Sequence, residues 1–329
     1  MLANGLTFRE VQTIMSDNKS AVLFIIFNRP DCAKRVFEAI RQYQPSKLYI
    51  AADGPRPTVT DDKEKCAATR AITEAVDWPC EIKKLFRDTN LGMKEAVSGA
   101  ITWFFEQEEE GIILEDDCLP GQSFFHFCHA LLAKYRYDDR VMHIGGANLQ
   151  FGQKRGNASY YFSSMSSIWG WATWRRVWST HYDINMSLFE EFEKQQLMPF
   201  VFPDAEVAAF ATNLARLTYE KKINTWDYQL GFSIIINNGL CVVPNKNLVS
   251  NIGFAAGGTM ATNANDIHAN IPIEEITELT HPFFYIPNRQ ADLYQLSLSM
   301  PKKPVAPNKT PFVKKLFNKT KSIVSGSGE

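Results

Sequence analysis

The sequence predicts an α/β fold with a mostly parallel central sheet flanked by helices. Three observations predict it. Through its first half the chain alternates short apolar runs with helical patterns, which is the signature of βαβ units. Each apolar run ends in polar residues, as strands of a parallel sheet do where they open into a ligand crevice. The composition of the 329 residues, 45% hydrophobic, 12% aromatic and 22% charged, is that of a folded chain with a sizeable core.

After an N-terminal extension (residues 1–20), Ala21 to Phe27 reads as a strand that ends in Asn28 and Arg29. Asp31 then caps a helix with Val36, Phe37 and Ile40 on one face. Lys47 to Ala52 is the second strand, ending in Asp53-Gly54-Pro55, and a helix over about residues 61 to 77 follows a polar loop. Cys80 to Phe86 is the third, leading into Arg87-Asp88-Thr89-Asn90-Leu91-Gly92 and a helix through Phe105. Gly111 to Leu114 is the fourth and opens directly into Glu115-Asp116-Asp117. The carboxyl ends of parallel strands lie along one edge, so these polar ends converge on one cleft.

Three consecutive carboxylates need a positive partner. A hard divalent cation, Mn²⁺ or Mg²⁺, takes oxygen ligands and keeps sites free for the phosphates of a nucleotide. The alternative is a solvated acidic loop, or a turn with helix-capping acids before Pro120. No GxGxxG follows the first strand and no GxxxxGK[ST] occurs anywhere, so phosphate must be held by a metal with an arginine such as Arg29 or Arg87 nearby. His126 and His129, at i and i+3 on the next helix, either offer a transition-metal site or pack with Phe124, Phe125 and Phe127. The net charge of −1 gives no electrostatic case for nucleic acid. Six scattered cysteines without a CxxC pair read as reduced thiols in a cytosol. With no signal-peptide pattern and no apolar run near the roughly 20 residues of a membrane span, the chain is expected neither to be secreted nor to cross a bilayer.

The second half is less regular. Trp169 to Trp178 holds four of the seven tryptophans. Trp171, Trp174 and Trp178 have helical spacing and read as a stripe packed on the sheet, while Trp169 and Gly170, just before that helix, are placed to border a sugar. In Asn224-Thr225-Trp226-Asp227-Tyr228-Gln229-Leu230 a single acid sits among aromatic and apolar residues. Asp227 either caps the following helix or acts as a general base tuned by partial burial.

Leu23 to Pro30, the Asp53-Gly54 strand end, Glu115-Asp116-Asp117 with Phe124-Phe125, Trp169-Gly170-Trp171 and Trp226-Asp227 together resemble GT-A nucleotide-sugar glycosyltransferases. The arrangement is similar to the inverting N-acetylglucosaminyltransferase I type and its bacterial relatives from surface-polysaccharide loci, over roughly residues 20 to 255. The resemblance implies a GT-A (Rossmann-like) domain over residues 21–300, with a nucleotide half of about 21–145 and an acceptor half of about 146–300. It implies that Asp117, the last acid of a DXD-like triplet, binds Mn²⁺ or Mg²⁺ on the donor diphosphate. By the same resemblance Asp116 holds the ribose, Glu115 a hydroxyl of the donor sugar, Asp53 the base, and Arg29 contacts the nucleotide. Asp227 matches the catalytic base of a single, inverting displacement. The donor is expected to be a UDP-sugar, with N-acetylhexosamine by analogy, and the acceptor a glycan or lipid-linked glycan of bacterial surface polysaccharide or lipooligosaccharide. Relatives often follow Leu248 to Phe254 with a Thr-His pair, whereas Gly257-Gly258-Thr259-Met260-Ala261 stands here without a histidine. Two other classes stay open: a metal-dependent sugar nucleotidyltransferase and a non-catalytic carbohydrate-binding protein.

From Pro301 on, seven lysines face a single acid, Glu329, and apolar residues recur at near-helical spacing. This basic C-terminal stretch (301–329) reads as a proline-rich linker with an amphipathic helix for an anionic membrane surface, or as a disordered tail. The expected location is cytoplasmic, peripheral on the inner face of the cell membrane if the helix binds there.

Overall fold

A computed structural model describes residues 19–254 and 265–301; the expectations for the N-terminal extension, for Gly257 to Ala261 and for the lysine-rich stretch beyond Pro301 lie outside the described residues. Described residues up to Leu298 belong to one compact unit, and Ser299 begins a second.

Strand β1 (Val22–Ile26) is buried along its whole length, as five consecutive apolar residues require. Helix α1 (Pro30–Tyr43) starts at Pro30, whose missing N–H is no loss at a helix start. Asp31 lies in its first turn rather than at the cap expected of it, and Arg29 takes the cap position. Strand β2 (Lys47–Ala52) leads to α2 (Asp62–Ile72), which ends five residues before the expected Asp77. The last turn tightens there: Thr73 N–H and Glu74 N–H bond back to Arg70 and Ala71 carbonyls, and the Thr73 hydroxyl takes the Arg70 carbonyl as well. Strand β3 (Glu81–Phe86), α3 (Met93–Phe105) and β4 (Glu110–Glu115) then follow as expected.

The main sheet has the order β3-β2-β1-β4-β8-β6-β9-β7, where β6 is Val141–Gly145, β7 Tyr160–Ser163, β8 Trp171–Trp174 and β9 Leu240–Pro244. The first four strands pair in parallel, and β6 pairs in parallel with β9. Strand β8 runs antiparallel to both β4 and β6, so the sheet is continuous across the two expected halves. From β1 the chain first winds outward to β2 and β3, then returns to lay β4 on the other side of β1. That reversal between β1 and β4 is the topological switch point where such sheets leave a crevice.

The tryptophan cluster departs from expectation. Trp171 to Trp174 is a buried strand, and only Trp178 is on a helix, α5 (Arg175–His181). A separation of three places two side chains on opposite faces of a strand. Accordingly, Trp174 donates to the Leu132 carbonyl of α4 (Gln122–Tyr135), while Trp171 stacks between His143 and Trp226 at 5.3 and 5.8 Å. Each ring removes about 150–250 Å² from water, or ~4–6 kcal/mol of gross apolar stabilisation.

Beyond β8 the helices α6 (Phe189–Lys194), α7 (Met198–Val201), α8 (Ala205–Tyr219) and α9 (Asp227–Ile236) form one wall, closed by α10 (Arg289–Ser299). A small antiparallel pair joins β5 (Cys118–Pro120) to β10 (Val249–Asn251). Among the described residues no helix is long and apolar enough to cross a membrane, and all six cysteines are free thiols.

Candidate functional site

The crevice at the switch point opens into a cavity of about 620 Å³. Eight of the residues singled out in the sequence line it: Arg29, Asp53, Arg87, Glu115, Asp116, Asp117, Trp169 and Asp227. They come from the ends of β1, β2, β3 and β4, from the approach to β8 and from the start of α9.

At the centre, Arg29 Nη1 is 2.5 Å from Asp117 Oδ2 and 3.9 Å from Asp116 Oδ1. The Phe27 N–H donates to Asp116 Oδ2 at 2.9 Å, fixing the carboxylate against the end of β1. One guanidinium therefore faces three carboxylates. Burial, then the charges of Asp117, Asp116 and Asp227, push Glu115 well above the usual carboxylate range. Burial and Asp117 push Asp116 up to about 7, against the pull of Arg29 and the Phe27 N–H. Burial works against the Arg29 charge, but Asp116 and Asp117 outweigh it and raise its pKa. An excess of negative charge among oxygen donors, held away from water, fits a hard divalent cation. Among the described residues, no three His, Cys, Asp or Glu side chains are already gathered as a metal cage. Asp117 is the oxygen donor that would hold it, with Asp116 and Glu115 beside it on the same cavity wall.

The segment after β10 closes over this cluster. Ile252 N–H bonds to the Asp117 carbonyl at 2.8 Å, and Gly253 passes so near that a Cβ there would collide with Asp117 Oδ2 and lie 2.9 Å from Arg29 Nη1. Only glycine allows that approach.

Asp53 is buried at the end of β2, where its carboxylate accepts from the Gly54, Leu91 and Gly92 N–H groups and from Asn90 Nδ2 at 2.9–3.1 Å. It thereby pins the 88–92 loop as well as facing the cavity. Arg87 donates to the Ala96 carbonyl at 3.2 Å, and burial lowers its pKa. Asn28 and Gly170 are not part of the lining. Asn28 donates to Asp62 Oδ1 at 2.7 Å, outside the cavity wall. Gly170 has φ +63 and its carbonyl accepts the Gly146 N–H, so it shapes the entry to β8 rather than offering a surface to a ligand.

Asp227 opens α9 in the first helical position, with Trp226 as the cap residue. The carboxylate accepts from the Thr225 hydroxyl and from the N–H groups of Asp227 and Tyr228 while lining the cavity. Of the two roles weighed from sequence, the cap position falls to Trp226, and Asp227 stands in the first helical turn with its carboxylate on the cavity. Burial raises its pKa, and the three donors oppose the rise.

His126 and His129 lie away from the acids. His129 Nδ1 meets the Ser20 hydroxyl at 2.9 Å, His126 edges the Tyr43 ring, and burial lowers both pKa values, so they belong to the packing of α4. Several cavity residues were not singled out in the sequence: Arg56, Asn90, the Ser164 to Ile168 loop and Asn251. Arg56, three residues past Asp53, was within reach of the strand-end argument; it pairs with the buried Asp62 at 2.5 Å. A histidine does reach this wall from further along the chain. His268 packs edge-on to Trp169, with Nδ1 2.7 Å from Asp266.

No family model matches the sequence, and no curated protein matches it. Solved structures overlap it partially. HddC from Yersinia pseudotuberculosis is 8% identical with a TM-score of 0.29, over 48% of this chain and 77% of that one. Glucosyl-3-phosphoglycerate synthase from Mycobacterium tuberculosis, in complex with Mn²⁺, UDP and phosphoglyceric acid, is 12% identical with a TM-score of 0.32, over 59% and 70%. 4-Diphosphocytidyl-2C-methyl-D-erythritolsynthase from Anaerococcus prevotii DSM 20548 is 10% identical with a TM-score of 0.31, over 61% and 100%. At such scores the α/β class rests on the strand order itself.

Proposed function

We propose that this chain is an inverting, metal-dependent glycosyltransferase that moves a sugar from a UDP-sugar to a glycan or lipid-linked glycan acceptor, in the synthesis of bacterial surface polysaccharide or lipooligosaccharide. One observation carries the reading: Asp227 shares a cavity with Glu115, Asp116 and Asp117, and its charge is felt at Glu115. That juxtaposition supports the reading, because displacement at an anomeric carbon needs a group to take a proton beside a group to hold a diphosphate.

In this reading Asp227 accepts the proton of the acceptor hydroxyl as the oxygen bonds to the anomeric carbon and the bond to the diphosphate breaks from the opposite side. Asp117 holds Mn²⁺ or Mg²⁺, which when bound supplies charge stabilisation for the departing diphosphate. Asp116 holds the ribose and Glu115 a donor-sugar hydroxyl, and Asp53 and Arg29 contact the nucleotide. Arg29, paired with Asp117 in the free chain, would be available to a phosphate oxygen once a cation offset the charge of Asp117. The N-acetylhexosamine assignment rests on resemblance alone.

The test is a panel of nucleotide sugars, assayed for donor hydrolysis and transfer with Mn²⁺ and with EDTA. Asp117→Ala and EDTA should abolish turnover, whereas Asp227→Ala should keep UDP binding and lose transfer. Transfer by Asp227→Ala at the wild-type rate would remove the base assignment. Pyrophosphate formed from a sugar phosphate and a nucleoside triphosphate would point to a nucleotidyltransferase instead.

A further inference from the structure

We infer that the acceptor of this site is amphipathic, with a hydrocarbon group carried close to the hydroxyl that reacts. The inference rests on the transferase reading and names its acceptor class. Its ground is the opposite character of the cavity walls. The strand ends contribute arginines and carboxylates. The helical wall contributes Met198 from α7, Leu214 from α8, Phe232 and Ile235 from α9 and Leu296 from α10, with Phe202 between α7 and α8. Apart from Gln295, helices α7, α8 and α10 add only apolar side chains to the lining.

Asp227 stands where the two walls meet. It opens α9, and Tyr228, Gly231, Phe232 and Ile235 on the same helix continue the lining at helical spacing. A hydroxyl that delivers its proton to Asp227 therefore brings whatever it is attached to against this wall. An acceptor made of sugars alone would set hydroxyls along the whole of this wall, each desolvated with few partners to pair with, whereas a single sugar beside Asp227 keeps its partners at the strand ends. An aliphatic chain meets no such penalty and gains apolar burial.

A second cavity of about 390 Å³ shares Ser164 and Ile235 with the first, and its rim includes Leu188 and Phe200, exposed at 59% and 81%. Ile235 thus lines both cavities, and the second mixes Leu188, Leu197 and Phe200 with Glu191, Gln195, Asn238 and Arg289.

The experiment uses the full chain and n-alkyl glucosides from methyl to octyl, below their micelle concentrations so that no micelle surface is the binding partner. Calorimetry without donor should show the dissociation constant falling about three- to fourfold per added methylene. Leu214→Gln should flatten that series, and Ile235→Thr, a smaller change on a different helix, gives the same reading if the first variant does not fold. A flat wild-type series overturns the inference, as does a steep series that both folded variants retain, since the chain would then bind elsewhere. Mn²⁺-dependent donor hydrolysis in the absence of acceptor is scored separately. Its absence counts against the transferase reading, whereas hydrolysis with a flat alkyl series counts against the amphipathic acceptor alone.

Discussion

At the scale of single residues, the site is a concentration of negative charge that the fold tolerates and a ligand would relieve. Asp116 shows the consequence for stability. Its pKa is about 7 in the folded chain, against roughly 3.9 unfolded, so the folded state binds the proton more tightly. That contribution to stability is fully present below about pH 4 and is lost as the pH rises through the folded value. Asp116→Asn keeps an acceptor for the Phe27 N–H but has no charge to bury. In EDTA its melting temperature relative to wild type should therefore rise by a few degrees between pH 5 and pH 8; parallel curves would show that Asp116 is not a charged liability. Gly253 tests the same cluster sterically. Gly253→Ala sets a methyl group against Asp117 and Arg29, which should weaken Mn²⁺ binding about tenfold or more, a loss of about 1.4 kcal/mol. Thermal stability in EDTA should fall as well, because Asp117 Cβ, 2.9 Å from the added methyl group, cannot swing aside as the arginine can. Unchanged Mn²⁺ affinity would mean that the 249–254 segment does not close over the acids.

At the scale of elements, helix α8 supplies part of the apolar wall and is held at its start by Asp204, whose Oδ1 accepts from the Glu206 and Val207 N–H groups at 3.0 Å. Asp204→Ala should cost about 1 kcal/mol. The loss of amide protection should be confined to the first turns of α8, and a global loss across the sheet would contradict the local reading. How much of this was legible follows from the kind of signal each element carries. Strands β1, β2 and β4 were legible because each is a short apolar run closed by polar residues, and their ends, with that of the half-polar β3, predicted which side chains would meet. The strand β8 was not, because Trp171, Trp174 and Trp178 fit a helical period and a buried strand has no polar alternation to oppose it. In the site, Glu115 to Asp117 and Asp227 were visible as acids in apolar settings. Arg56 was within reach three residues past Asp53, but the Ser164 to Ile168 loop was not, since a serine-rich loop looks the same whether or not it faces a cavity. Asn28 failed for a tertiary reason: Asp62, distant in sequence, claims its amide.

At the scale of the whole molecule, the antiparallel pairing of β8 with both β4 and β6 makes one sheet of the segments that supply the strand-end and helical walls. The cavity draws on residues from Arg29 to Asp227 that only the completed sheet brings together, so a ligand held there binds the folded chain and not the unfolded one. Such a ligand stabilises by mass action, by about 2.7 kcal/mol at one hundred times its dissociation constant. In the proposed reading the cation and the diphosphate should do so cooperatively. Either alone meets an imbalance: the cation must compete with Arg29 for Asp117, and the diphosphate must approach three carboxylates. Together, a cation on Asp117 would offset the acids' charge for the diphosphate and leave Arg29 available to a phosphate oxygen, a favourable coupling on the scale of 1–3 kcal/mol. Melting curves with Mn²⁺, with UDP and with both should therefore show a joint shift larger than the sum of the separate ones. Asp117→Ala should retain whatever UDP gives alone but lose the excess. Strictly additive shifts in the wild type, or an excess that survives in Asp117→Ala, would show that the acids at the end of β4 do not link a cation to a nucleotide.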